Sequence, residues 1–472
     1  MKMLIGGEWV DREEKIEVVN PFNGVVVDTV PRGDGRDVAK AVGGALQGLE
    51  EMKTLTSYER YEILKRTSEL LSEYKERFAR TIVLEVGKTI TEARREVERS
   101  IQTFLWASEE AKRIYGETVP FDASPGAETK MGFFIRVPMG VIGAITPFNF
   151  PLNLVAHKLA PAFAAANAVV LKPAEQTPLS AIQLGELLLF AGLPRKALQI
   201  VTGYGEEAGE ALVMDPRVRM ITFTGSMETG RIITSRAGLK KITLELGSNS
   251  ACIVMKDGDL ERAAERISRG GFSLAGQTCI SVQRVFVQEE VFDVFIEAII
   301  PKVKNLKVGD PEEESTDVGP MIDESAAKRA KAWVDEVVDA TGRSPLLGGN
   351  REGNLFHPTL LTDVPKDSNL FSKEVFAPVV AINRFKTLEE AIALVNDSPY
   401  GLQAGIFTRD LKEAFEAARK IEVGGVMINE IPTFRADHMP YGGVKGSGFG
   451  REGPRYAVEE MTELRLISFD LG

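Results

Sequence analysis

The sequence predicts an α/β protein of at least two domains, and three observations carry that expectation. A chain of 472 residues exceeds what one hydrophobic core usually organises. From about residue 141, short apolar runs alternate with amphipathic stretches, as they do where a parallel sheet is covered by crossover helices. The alternation starts afresh near Gly247, with no low-complexity tract or long flexible linker in between. The two units should therefore pack closely, with their cleft as the default site.

From residue 57 to about 115 the chain is rich in Glu, Arg, Lys and Leu at helical spacing, with Gly87 as a break between helices. Five strands are expected next, at 140–145, 168–171, 198–201, 220–223 and 242–246. Helices are expected between them at 152–166, 179–190, 206–214 and 228–236. Pro178 and Gly192 mark the start and stop of the second helix by their opposite backbone preferences. The second unit carries strands at 251–254, 281–287, 379–385 and 425–429, with helices starting at 260 and 291. Segments 119–137 and 464–469 fit neither unit; their extended edges either join copies of the chain or pair with each other inside one copy.

Lysine and arginine total 57 against 68 acidic residues, a net charge of -11 that repels phosphate backbones and anionic lipids. Neither nucleic acid nor a membrane is an expected partner. Glu8 and Asp11 interrupt the first apolar run before a secretory or spanning segment could form, so a cytoplasmic protein is expected. Cys252 and Cys279 are too few for a disulfide framework. His157, His357 and His438 make no metal-ligand spacing with them, and no metal is expected.

Ligands of open α/β sheets bind beyond the carboxyl ends of the strands. There this chain places Thr146-Pro-Phe-Asn149, Lys172-Pro-Ala-Glu175, Gly203-Tyr-Gly205, Thr224-Gly225-Ser226 and Glu245. The run from Gly203 to Gly209 is one residue too long for the usual dinucleotide fingerprint. Gly225-Ser226 before a helix suits either a phosphate or ring contact through free N–H groups, or plain turn geometry.

Cys252 lies inside an apolar run and reads as an inert buried thiol. Cys279 lies in a small-residue turn, where an inert thiol and a nucleophile both remain open. A free thiol with a pKa near 8.5 is only about 3% thiolate at neutral pH, so a nucleophile here needs a base or positive potential. Glu245, between Leu244 and Leu246, is either a strand-terminal surface carboxylate or one with a raised pKa suited to moving protons.

Together, Pro147-Phe-Asn-Phe-Pro151, Lys172-Pro-Ala-Glu-Gln-Thr-Pro178, Phe223-Thr-Gly-Ser226, Leu244-Glu-Leu-Gly247, Gly276-Gln-Thr-Cys279, Lys373-Glu-Val-Phe376 and Pro440-Tyr-Gly-Gly443 resemble the NAD(P)-dependent aldehyde dehydrogenase superfamily almost end to end. The resemblance is strongest to lactaldehyde, semialdehyde and non-phosphorylating glyceraldehyde-3-phosphate dehydrogenase-like members. It implies a Rossmann-type cofactor domain on residues 1–118 and 138–246. It also implies a second α/β catalytic domain on 247–440 and a small β oligomerisation arm on 119–137 and 455–472. A homo-oligomer, dimer or tetramer, is the corresponding expectation.

By motif, the resemblance makes Cys279 the nucleophile, Glu245 the general base, and Asn149 an oxyanion donor beside the Cys279 backbone N–H. It assigns Ile145, Thr146, Pro147, Phe148, Lys172, Glu175, Gly205, Gly209, Phe223, Gly225, Ser226, Leu246, Glu374 and Phe376 to the cofactor. Glu175 favours NAD over NADP, because a carboxylate accepts from a ribose 2′-OH and repels a 2′-phosphate. Phe148, Ser248, Lys373 and Ala377 depart from common family residues without removing a chemical group.

Arg435 suits either an anionic substrate group or a structural ion pair with Asp437 or another acid. Two other readings stand beside the hydrolytic dehydrogenase, namely a catalytically silent dinucleotide-binding protein and a coenzyme-A-acylating enzyme. An esterase-only cysteine hydrolase lacks a histidine placed to serve its thiol.

Overall fold

The computed structural model describes residues 1–472. The five expected strands of the first unit form at Val141–Ile145, Ala168–Lys172, Leu198–Ile200, Met220–Thr224 and Lys241–Glu245. All five are parallel, in the order third, second, first, fourth, fifth, so the switch point lies between Val141–Ile145 and Met220–Thr224. The sheet is wider than the pattern predicts. Met3–Ile5 and Glu8–Val10 extend one edge antiparallel, and Gly448–Phe449 closes the other against Lys241–Glu245. These additions are two or three residues long, too short to show a period.

The second unit is a parallel sheet of six strands, ordered Thr359–Thr362, Val379–Phe385, Arg284–Gln288, Ala251–Val254, Gln403–Phe407 and Gly425–Ile428. Strands Thr359–Thr362 and Gln403–Phe407 were not expected. The strand expected at 281–287 starts only at Arg284, because the preceding residues belong to the cysteine loop. The helix expected at 206–214 opens as a π-helical turn, Gly205–Gly209, before Glu210–Met214.

The helical layer runs Gly35–Thr54, Ser57–Glu73, Lys75–Val86 and Ile90–Ala111, its first helix lying outside the expected stretch. Gly87 ends the third at φ 75°, and a Cβ there would come within 2.6 Å of Pro320 and 2.8 Å of Pro21. This layer also supplies what two sheet-covering helices lack. Neither Asn153–Ala164 nor Leu179–Phe190 has a side-chain cap of its own. Instead, buried Glu96 accepts the N–H groups of Leu152 and Asn153, both at 3.0 Å, and its other oxygen pairs with buried Lys88. Glu85 accepts those of Leu179 at 2.7 Å and Ser180 at 3.0 Å. Orphan donors are satisfied, and each carboxylate faces the positive end of a helix dipole.

The two leftover segments pair with each other. Thr462–Asp470 runs antiparallel to Lys130–Pro138 along its whole length, with Glu117–Val119 on the far side. Leu464, Leu466 and Phe469 stay exposed. The arm is shorter than expected at its C-terminal part, since Pro454–Glu460 is a helix packed on Asn153–Ala164 and Ile90–Ala111. No helix is long and apolar enough to cross a membrane.

Burial pushes the Glu85 carboxyl up to about 7 despite its three donors. Its unfolded value is about 4.3, so its contribution to stability is intact below that pH and is lost as pH rises through 7. Glu85→Gln removes this titration. The urea midpoint of the variant, relative to wild type, is expected to rise between pH values of about 4 and 8; a pH-independent difference would contradict the buried proton.

Candidate active site

Cys279 sits at the end of a strained loop. Leu274 and Ala275 hold left-handed φ values of 51° and 50°, and Gly276 follows at 69°. Each non-glycine residue in this region costs on the order of 1–2 kcal/mol. A Cβ on Gly276 would lie 2.0 Å from the Ala377 carbonyl oxygen, so only glycine passes there. The surroundings hold the loop: Glu92 accepts the Leu274 N–H at 2.9 Å, and the Gln277 side chain accepts the Ile322 N–H at 2.9 Å. The chain therefore enters the cysteine turn in one fixed direction.

Two donors remain free beside the thiol. The Cys279 N–H donates to no atom of the protein. Buried Asn149 donates one amide hydrogen to the Gln277 carbonyl at 2.9 Å, which orients the side chain and leaves its second hydrogen available. Burial pushes the Cys279 thiol up to about 11, opposed by a 3.1 Å contact with the Tyr441 hydroxyl.

Glu245 is buried, with one carboxyl oxygen unpartnered. Burial, then the charge of Glu452, pushes it well above the usual carboxylate range. Glu452 behaves oppositely. Burial alone would raise it, but Lys158 at 3.3 Å and Arg435 at 2.8 Å hold it down to about 2. One buried acid thus holds its proton far more tightly than its neighbour. Arg435 also lies on the Tyr441 ring, 3.7 Å from its centroid, and its Nε has no partner.

Arg435 forms the structural ion pair that is one of its two readings, with Glu452 rather than Asp437, because Asp437 is already saturated. It takes Arg99 at 2.8 and 3.1 Å, Asn153 at 3.1 Å and His157 at 2.9 Å. Burial drives His157 below its ordinary value, so its neutral ring donates to that carboxylate.

A cavity of about 180 Å³ opens onto Cys279, Tyr441, Arg435, Phe150 and Ile280. Its opposite wall is one face of helix Ile90–Ala111, where Glu92, Arg95, Glu96 and Arg99 recur at three- and four-residue spacing. Most of these charges are spoken for: Lys88 by Glu96, Arg99 by Asp437 and Arg435 by Glu452. Exposed Arg95 forms no ion pair. The cavity wall therefore carries a guanidinium without an ion-pair partner, with the Glu92 carboxylate, bonded only to Thr89, Ser273 and the Leu274 N–H, on the same helix face.

The cofactor-assigned residues gather at the carboxyl edge of the first sheet. Ile145, Gly205, Gly209 and Phe223 line an apolar slot of about 340 Å³ with helix Met227–Arg236. Thr146, Pro147 and Phe148 continue from Val141–Ile145, and Phe148 packs edge-on against Phe376 at 5.9 Å. Lys172 bonds Glu175 at 2.9 Å. Glu374 accepts the Ser248 N–H at 2.9 Å, and burial pushes it up to about 7.

Of the two readings of Gly225-Ser226, turn geometry holds at Gly225. Gly225 has no free N–H, because it donates to the Glu245 carbonyl at 3.0 Å; it is glycine because a Cβ would strike the Phe223 ring at 2.3 Å. Leu246 likewise gives its N–H to Ser447. The Ser226 N–H is free, while its hydroxyl caps the helix. An apolar slot, an accessible carboxylate at Glu175 and a free N–H at a helix start fit a dinucleotide.

Sequence reasoning missed Tyr441 as a functional side chain, Lys158, Glu452 and Arg95. Lys158 had a signal, being a cation within a twelve-residue helix that is otherwise wholly apolar apart from Asn153 and His157. The others had none, since their partners are distant in the chain.

The aldehyde dehydrogenase family model matches residues 9–467. The chain is 50% identical over 469 residues to 3-sulfolactaldehyde dehydrogenase of Priestia megaterium, covering 99% of this chain and 98% of the relative. Aldehyde dehydrogenase 21 of Physcomitrella patens, solved with the reaction product succinate, superposes with a TM-score of 0.97 at 41% identity, covering 100% of this chain and 98% of that one. The glyceraldehyde-3-phosphate dehydrogenase GapN of Methanocaldococcus jannaschii, complexed with NADP, gives 0.93 at 42% identity, covering 98% and 100%.

Glu452→Gln leaves the burial that raises Glu245 but removes the anion that raises it further, with Lys158 and Arg435 still pulling it down. Glu245 should then titrate at lower pH in carbonyl NMR of glutamate-labelled protein, with a loss of about 3–5 kcal/mol of stability from the broken buried pair. An unmoved Glu245 titration would refute the coupling.

Proposed function

The chain belongs to the aldehyde dehydrogenase family, and from that premise we propose that it oxidises a small anionic aldehyde to the carboxylic acid through a thioester on Cys279. That it is an NAD(P)-using, aldehyde-oxidising oxidoreductase follows from family and relatives. The substrate class rests on one observation, the Arg95 guanidinium without an ion-pair partner on the wall of the cysteine cavity. The named relatives agree in chemistry: sulfolactaldehyde, succinate and glyceraldehyde-3-phosphate each carry an anionic group.

In this reading Cys279 Sγ adds to the aldehyde carbon, and the developing oxyanion accepts from the Cys279 N–H and the second Asn149 amide hydrogen. Losing such a donor typically costs roughly 3–4 kcal/mol of barrier. NAD(P), when bound, supplies the hydride acceptor. Glu245, once ionised, then takes a proton from the water that attacks the thioester carbon; the C–S bond breaks, Cys279 returns as the thiolate, and the acid leaves. A buried carboxyl with a raised pKa suits that proton transfer, and Glu245 supports hydrolysis over transfer to coenzyme A. The Lys172–Glu175 pair supports NAD as the preferred cofactor, since Glu175 keeps a carboxylate just beyond the carboxyl end of Ala168–Lys172.

We assign cofactor binding to residues 1–118 and 138–246, with 448–460 added, and catalysis to 247–440. The outer edge of Thr462–Asp470, with its exposed apolar side chains, supports a homo-oligomer. Light scattering on the purified protein is expected to exceed one chain mass, and a pure monomer would remove that assignment.

An aldehyde panel tests the rest by absorbance of reduced cofactor, with NAD and NADP in parallel. Cys279→Ala should abolish turnover, while Glu245→Gln should give one burst of reduced cofactor and then slow release. Arg95→Gln should raise KM for succinic semialdehyde and glyceraldehyde-3-phosphate roughly tenfold and leave propionaldehyde unchanged. Equal effects on charged and neutral aldehydes would sink the anion site, and a strong NADP preference would overturn the role of Glu175.

A further inference from the structure

We propose that Tyr441 is a second catalytic residue, whose phenol hydroxyl donates a hydrogen bond to the Cys279 thiolate while the Arg435 guanidinium, lying on the ring, strengthens that donor. The hydroxyl stands 3.1 Å from Sγ and has no other partner in the chain. It touches the reacting atom itself.

Four contacts leave Tyr441 no freedom. Its backbone exchanges two hydrogen bonds with Glu452, at 3.1 and 2.7 Å. The Glu452 side chain holds Arg435 at 2.8 Å, and Arg435 lies 3.7 Å from the ring centroid. The chain then runs through Gly442 so close to Glu245 that a Cβ there would lie 2.9 Å from its carboxyl oxygen. One buried acid thus places both the ring and the cation above it.

The chemistry follows from what the hydrogen bond favours. A donor aimed at sulfur stabilises the thiolate over the thiol, and a cation on the π face draws electron density from the phenol and makes its O–H a better donor. Burial, and the thiol it faces, hold the phenol well above its ordinary range, so Tyr441 keeps its proton and the thiol proton passes to water through the cavity that opens onto Cys279. The other groups acting on Cys279 are Glu374 and Glu245, which oppose its ionisation, and Arg435, which favours it. Across the cavity stand Glu92, Arg95, Glu96 and Arg99 of the helix Ile90–Ala111. Among these groups only Tyr441 bonds to the sulfur.

The inference rests on Cys279 as the nucleophile, and its test needs no aldehyde. The full-length protein is alkylated with iodoacetamide across pH, and modification at Cys279 is followed by mass, with Cys279→Ala as the blank. In Tyr441→Phe, which keeps the ring and its packing, the reactivity midpoint is expected to move up by about one pH unit, a tenfold loss of thiolate at neutral pH. Arg435→Gln should move it in the same direction. A wild-type profile in a folded Tyr441→Phe overturns the proposal, and if Arg435→Gln does not fold, Tyr441→Phe alone decides it. Turnover surviving in Cys279→Ala would instead overturn the nucleophile.

Discussion

The site depends on one buried carboxylate, Glu452, held between Lys158 and Arg435. Removing three charges from water is costly, and the arrangement is tolerable only because each keeps a close partner. Burial raises Glu245, and the ionised Glu452 nearby raises it further, since two buried carboxylates close together cannot both ionise cheaply. The same residue pairs through its backbone with Tyr441, which contacts the thiol. Base, thiol and cation are therefore set relative to one another by a single anchor.

A second group of buried acids performs a different task. Glu85 and Glu96 come from the helical layer, yet their bonds go to the first N–H groups of two sheet-covering helices that have no local cap. The helix Ile90–Ala111 thereby serves two ends. It fixes the start of Asn153–Ala164, just after Asn149, and it presents Arg95 and Arg99 to the cavity of the cysteine. Fold stability and site geometry share the same residues.

The sequence shows the sheets because buried parallel strands are continuous apolar runs, and the five of the first unit fall within a residue or two of expectation. Short additions such as Gly448–Phe449 are invisible, because their pairing partner lies about two hundred residues away and their own composition carries no period. Cys279, Glu245 and Asn149 stand out as motif residues. Gly225 leaves turn geometry and a ligand contact both open in the sequence, and the structure shows that it lets the Phe223 ring lie close.

By itself the sequence determined the two-unit α/β architecture and which chemical groups are present, because periodicity and local motifs are written over a few residues at a time. Only the tertiary structure decided which charges remain free. Arg435, Asp437, Arg99 and Arg95 are alike on paper as surface ions. Folding consumes Asp437 with Arg99, Asn153 and His157, gives Arg435 to Glu452, and leaves Arg95 unpaired at the cavity. Ion pairing is settled by distances of a few ångströms between residues up to hundreds of positions apart, and no local pattern encodes that.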